Sequence, residues 1–186
     1  MAGAELDDVG SLSAEFVPAD FVVPRTLQGE GFVLEPLGPE HNDSDHAAWS
    51  GSIDHIHATP GFTAALWQGD DWPYPMSSEQ NLADLQMHAR EFAAAEAFAY
   101  TVLAAGRASG VLDDHGDDDT IDVIGCVYID PDPNAVVQPA AMVRCWVRAD
   151  HADLDPLLAA TVADWLQHDW PLAAVRFPGR DWSLPG

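Results

Sequence analysis

Between Asp122 and Phe177 the chain carries, in succession, the patterns of strand, strand, helix and strand, and few folds accommodate that order. Val123–Asp130 and Met142–Arg148 are short, apolar and rich in β-branched or aromatic residues. The Pro/Asn/Asp-rich run Asp130–Pro139 between them has the composition of a loop. Over Pro156–Gln167, Leu158, Val162, Trp165 and Leu166 recur at i, i+4, i+7 and i+8, which places them on one helical face. Leu172–Phe177 returns to strand. A helix fed by one strand and returning to another is an α/β crossover packed on a sheet. The junction Val147–Pro156, where the strand hands over to the helix, is therefore the expected functional position.

The remaining elements are read the same way. Met1 to Asp20 shows no sustained periodicity and reads as a mobile arm or loose cover. Glu30–Leu37 alternates as a strand, with Phe32 and Leu34 on one side, and Pro36 places its end at a sheet edge or exit. A polar helix is expected over Glu40–Trp49 and a short second one near Ser52–Ala58. Thr59–Met76 is an irregular loop holding Trp67, Trp72 and Tyr74, expected to be a lid over core or a ligand-contacting wall. Ser77-Ser78-Glu79-Gln80 matches a capping box, and Leu82, Leu85, Ala89 and Phe92 continue the helix as one stripe. Phe98–Ala104 reads as a strand, and Gly106–Thr120 as a connector. The expectation is one α/β domain over residues 21–178, of about five strands and three or four helices, with a tail at 179–186.

Charge narrows the partners. Among 186 residues there are 31 acidic and seven basic side chains, all seven of them arginine, for a net charge of −24. Such a surface repels phosphate backbones and anionic lipid, so neither nucleic acid nor membrane is an expected partner. It also repels itself, so stability is expected to rise with salt. No run approaches the ~18 apolar residues of a membrane span, and Met1–Gly10 has no positive n-region, so the expected location is the cytoplasm. Cys126 and Cys145 are expected to be buried free thiols.

The order of elements resembles the GNAT superfamily of acyl-CoA-dependent N-acyltransferases, in the branch that includes the ribosomal-protein alanine acetyltransferases. The residues that carry the resemblance are Pro24-Arg25-Thr26-Leu27 before Phe32-Val33-Leu34-Glu35-Pro36-Leu37, Val123-Ile124-Gly125-Cys126-Val127, and Cys145-Trp146-Val147-Arg148, within a span from Pro24 to Arg176. The resemblance implies a GNAT-like mixed, mainly antiparallel sheet with helices on both faces. It implies acyl transfer from acetyl-CoA to a small-molecule amine or a protein N-terminus. The strand Cys145, Trp146, Val147, Arg148 would hold the pantetheine arm, and the acceptor cleft would be faced by His55, His57, Trp67, Trp72 and Tyr74.

In the family, the pyrophosphate sits on backbone N–H groups of a glycine-containing loop that opens the crossover helix, where the helix dipole favours an anion. Here the defining positions of that loop hold Ala152, Asp155 and Leu157, with Asp153 where a further glycine is common. Two like charges ~5 Å apart at an effective dielectric near 20 repel by about 3 kcal/mol, so the loop is expected to lose much of its attraction for phosphate. The family also adds a helix and two strands after the fifth strand, where this sequence has Pro178–Gly186. The uncovered edge is expected to be met by homodimerisation or by Trp182 and the amino-terminal arm. Two functions stay open: an N-acyltransferase in which Arg148 or Arg176 supplies the missing positive charge, and a catalytically silent relative that binds a small molecule or a protein.

Asp150, His151, Asp153 and Asp155 make the densest polar set, read as a helix start with Asp155 as N-cap rather than a cation site. His55 and His57 would diverge on a helix, and Asp113–Asp119 with His115 lacks the spacing of a calcium loop. No metal is expected. Gly-x-Ser-x-Gly, P-loop and Cys-x-x-Cys motifs are absent from the sequence.

Overall fold

The computed structural model describes residues 16–62, 72–105, 121–132 and 134–180. Trp67, Trp182 and the His115 segment lie outside them. Among the described residues six strands form a single sheet in the order of the chain: β1 (Leu27–Gly29), β2 (Phe32–Pro36), β3 (Phe98–Ala104), β4 (Val123–Pro131), β5 (Ala140–Val147) and β6 (Ala174–Arg176). The first five are antiparallel to their neighbours, and β5 and β6 are parallel. Five strands were expected. The sixth is β1, three residues that fold back on β2 across Gly31 (φ 85°), too short to show an alternation in sequence.

Among the described residues four α-helices cover the sheet: α1 (Asn42–Ser50), α2 (Ile53–Ala58), α3 (Ser78–Ala94) and α4 (Asp155–Asp169). They fall on both faces as the apolar pattern requires. Leu158, Val162, Trp165 and Leu166 of α4 are all buried, packed against Tyr100, Ile124 and Val127. Trp49 of α1, Ile56 of α2 and Leu85 of α3 pack on the opposite face with Leu103, Cys126 and Trp146. Phe16 and Val17, from the segment read as an arm or loose cover, are buried, and Phe16 stacks on Phe98 at 5.6 Å.

The capping box forms as its residues dictate. Ser77 Oγ accepts the Gln80 N–H at 3.2 Å, and Gln80 Oε1 accepts the Ser77 N–H at 2.9 Å. Cys126 and Cys145 are both free and buried. They lie on opposite faces, Cys126 against α1 and Cys145 on the α4 side, so they cannot bridge. The β3–β4 register skips Ile124 between the pairs Leu103↔Val123 and Val102↔Gly125, and the face assignment shifts beside Gly125. A side chain there would meet the Trp146 carbonyl oxygen, so only glycine permits this approach of β4 to β5.

Candidate functional site: a crevice between parallel strands and an aromatic cavity

β6 pairs along its whole length with only the amino-terminal end of β5, through Ala140↔Ala174, Ala141↔Val175 and Met142↔Arg176. β5 then runs on to Val147, while the segment after β6 leaves the sheet beyond Arg176. β5 thus outruns its short parallel neighbour, leaving the edge of residues 143–147 without a strand partner on that side among the described residues. In open α/β sheets ligands bind outside the carboxyl ends of the strands. Of the residues expected to line it, Cys145, Trp146 and Val147 are buried in β5, with Cys145 on the α4 side and Trp146 on the other. Burial pushes the Cys145 thiol up to about 12, so it remains protonated.

The carboxyl end of β5 leads into a 3₁₀ turn, Ala149–Leu154, and then α4. Asp155 is not the N-cap. Leu154 occupies that position without a side-chain cap, and the Asp155 carboxylate turns instead to Arg180. Both Asp155 oxygens accept from the Arg180 guanidinium, at 2.7 and 2.8 Å. Arg180 is brought there by a turn in which its N–H bonds to the Phe177 carbonyl, with Pro178 and Gly179 (φ 75°) between, the chemistry of a type II turn. Its guanidinium is 10% exposed and reaches Cys145 Sγ at 3.6 Å, so it sits in the crevice itself. The charge expected from Asp155 is therefore offset, and Asp153 stays exposed to solvent.

The two arginines expected to compensate for the altered loop are engaged elsewhere. Arg148 binds Asp150 and Asp122, each at 2.8 Å, and Arg176 binds Asp132 at 2.7 Å. The cation in the crevice is Arg180, which sequence reading missed. Its only signal was the Pro-Gly-Arg turn sequence after the last strand.

On the other face, a cavity of about 260 Å³ lies between α1, α3 and β4. Phe62, Trp72 and Tyr128 wall it with mutual ring distances of 5.7, 6.2 and 6.4 Å, and Trp72 also meets Trp49 and Trp146. Tyr74 and Met87, 47% and 40% exposed, mark its mouth. The helix α3 contributes Asn81, Asp84, Leu85 and His88, which share one face at i, i+3, i+4 and i+7. Sequence reading took the apolar stripe of this helix and passed over the polar one beside it.

Under the cavity runs a buried polar network. Trp49 donates to Asn81 Oδ1 at 2.9 Å, and Asn81 Nδ2 donates to Asp45 Oδ2 at 3.0 Å. The Cys126 thiol faces Asp45 Oδ1 at 3.4 Å. Burial holds the Asp45 carboxyl above the usual carboxylate range, against the pull of the Asn81 hydrogen bond. Asp84 is raised by the same cause, opposed by His88. At the β5 end, Arg144 pairs with Asp130 at 2.8 Å and lies over the Phe62 and Tyr128 rings. Arg144 lines the cavity, and its stem stands beside Gly61, itself against the Pro178 carbonyl that leads to Arg180; cavity and crevice therefore meet at β5.

Trp72 and Tyr74 thus stand in the cavity wall. His55 and His57 lie on α2 and are not among the described residues that line the cavity, and Trp67 lies outside the described residues. No group of three His, Cys, Asp or Glu side chains able to hold a metal ion occurs among the described residues. Among them, too, no helix is long and apolar enough to cross a membrane.

Solved structures share this architecture. RimJ of Mycobacterium smegmatis, in complex with CoA-disulfide, superposes with a TM-score of 0.57 at 12% identity, covering 83% of this chain and 65% of its own. The microcin C7 self-immunity acetyltransferase MccE, in complex with acetyl-CoA and AMP, gives 0.50 at 8% identity, over 78% and 66%. The chain has the GNAT fold. RimL, a ribosomal L7/L12 alpha-N-protein acetyltransferase, aligns at 13% identity and a TM-score of 0.49, over 80% of this chain and 72% of its own. Neither a protein-family model nor a curated protein sequence matches.

Proposed function

We propose that this protein is an acyl-CoA-dependent N-acyltransferase. The observation that carries the reading is the crevice: a parallel pair that stops at Met142↔Arg176 while β5 continues, with the start of a crossover helix at its mouth. The backbone edge of residues 143–147 fits the amide groups of a pantetheine arm, and Arg180 offers a guanidinium where the family uses glycine amides. When bound, acyl-CoA would supply an acyl group activated as a thioester. The chain's own contribution is to present an amine from the cavity side, where Asp84, a carboxyl raised by burial, can hold the ammonium and accept its proton. The acceptors named for the ribosomal-protein acetyltransferases make a protein N-terminus one candidate class, and a free amine is the other.

A second reading is supported by the same arginine. Arg180 is clasped by Asp155 beside Cys145, inside the space a pantetheine arm would thread, as expected of a relative that binds other partners without transfer. One pair of variants separates the two. Thiol release from acetyl-CoA is followed with an amine panel in the wild type, in Arg180→Ala, and in the charge-balanced Arg180→Ala/Asp155→Ala. The transferase reading expects amine-dependent thiol release, with KM for acetyl-CoA raised about tenfold or more when the guanidinium is lost, the size of a charge-assisted contact. Activity absent from the wild type and appearing in the balanced double variant would overturn it in favour of a plugged crevice.

A further inference from the structure

We propose that the open groove on the outer flank of α1 is a docking site for an extended polypeptide segment carrying arginine or lysine side chains. Its occupancy does not depend on acyl transfer, and it shares no lining residue with the aromatic cavity on the other side of α1.

The groove, of about 840 Å³, runs between α1 and the segments at residues 121–122 and 148–150 that flank β4 and β5. Ser44, Ala47, Ala48 and Gly51 recur at i, i+3, i+4 and i+7, so this flank of α1 is built of small side chains. Small residues lower the wall and let another backbone come close. Two hydroxyls stand in it. Ser44 Oγ accepts the Val123 N–H at 2.9 Å, and Ser52 Oγ accepts the Ala149 N–H at 3.1 Å. Each hydroxyl hydrogen is left without an acceptor among the described residues, although Ser52 is only 5% exposed. A buried donor of this kind calls for an acceptor from outside, and a peptide carbonyl is one. At helical rise, positions 44 and 52 stand about 12 Å apart, close to the ~13 Å between carbonyls four residues apart in an extended chain.

The facing wall is charged, and its cation is already taken. Arg148 forks onto Asp150 at 2.8 and 2.9 Å and reaches Asp122 Oδ1 at 2.8 Å. With Asp43 at the amino end of α1, three carboxylates share the groove with one guanidinium. Asp43 Oδ2 and Asp122 Oδ2 have no donor among the described residues, so both can accept from a ligand cation. The same charge decides among occupants. A nucleic acid, a nucleotide or a second copy of this chain at −24 brings like charge, and a small cation leaves most of the volume empty. A basic polypeptide brings the complementary charge and fills the length.

The test is fluorescence anisotropy of a nonapeptide of alternating alanine and arginine, acetylated at its N-terminus and labelled at its C-terminus, with the full chain and no cofactor. The neutral counterpart carries citrulline at each arginine. The acetylated terminus leaves no α-amine to accept an acyl group, so the outcome is separate from thiol release from acetyl-CoA. Saturable binding of the arginine peptide is expected, about tenfold or more tighter than that of the citrulline peptide. Ala47→Leu, which fills the exposed floor without changing charge, is expected to weaken it about tenfold by steric exclusion. Asp43→Asn is expected to weaken it about threefold, as rim charges do. Asp164→Asn, exposed on α4, removes the same charge elsewhere and is expected to leave the affinity unchanged. Equal binding of the two peptides, an unchanged affinity in Ala47→Leu, or equal losses in Asp43→Asn and Asp164→Asn would reduce the effect to the general field of the protein and overturn the proposal. The absence of saturation would overturn it too. If Ala47→Leu lowers the melting temperature, the exposed Ala149→Leu on the facing wall is read instead.

Discussion

Asp45 shows how burying a single carboxyl couples stability to pH. Its carboxyl is 3% exposed, and burial raises it above the usual range. A group raised in the folded state binds its proton more tightly there than in the unfolded chain. Its contribution to stability is therefore fullest below the unfolded value near 3.9 and is lost as pH climbs through the folded one. Asp45→Asn keeps the shape, can still accept from Asn81 and donate to the Cys126 sulfur, and removes the buried charge. It is expected to raise the melting temperature at pH 7 and to shrink that advantage as pH falls toward 4; thermal melts of both proteins across this range check it. Asp132 works with the opposite sign. The Arg176 guanidinium holds its carboxyl below the usual range, so the stability it lends is present at neutral pH and lost in acid. Arg180 is the residue that most alters the electrostatics of the crevice, and it was the least legible, because its partner Asp155 lies on the far side of a helix and a strand.

Elements were more legible than the contacts between them. α4 was readable because four apolar residues at helical spacing must share a face, and α3 because its first four residues satisfy each other's end groups. Removing that cap by Ser77→Ala is expected to destabilise the protein by about 1 kcal/mol, measured by denaturant melts. Gly125 was readable as part of a strand, but not as the point where β4 touches the Trp146 carbonyl. Gly125→Ala is expected to cost more than the cap, since backbone rather than a movable side chain must yield. The start of α4 was misread for a physical reason. Asp before Pro at a helix start is a good N-cap by local rules, yet a buried guanidinium from a distant turn competes for the same carboxylate and wins. The cavity face of α3 was hidden similarly, since Asn81, Asp84 and His88 look like solvated surface until Trp72 and Phe62 are placed over them.

Across the whole molecule, the fold followed from the order of periodicities, while the site depends on what long-range packing brings to two places on the sheet. The net charge of −24 acts everywhere at once. Arg144, Arg148, Arg176 and Arg180 each hold a carboxylate within 2.8 Å, yet acids outnumber bases 31 to seven, so repulsion dominates and salt should screen it. The melting temperature is expected to rise steadily from low to molar sodium chloride; a fall would mean that the arginine pairs outweigh the repulsion. The central proposal is that the edge of β5 beyond its last pair with β6 forms an acyl-CoA crevice with Arg180 as its cation. Isothermal titration of acetyl-CoA into the folded protein at moderate salt tests it most directly. Saturable one-to-one binding in the micromolar range, weakened in Arg180→Ala/Asp155→Ala, is the result the account predicts. No heat of binding even at millimolar acetyl-CoA would contradict it.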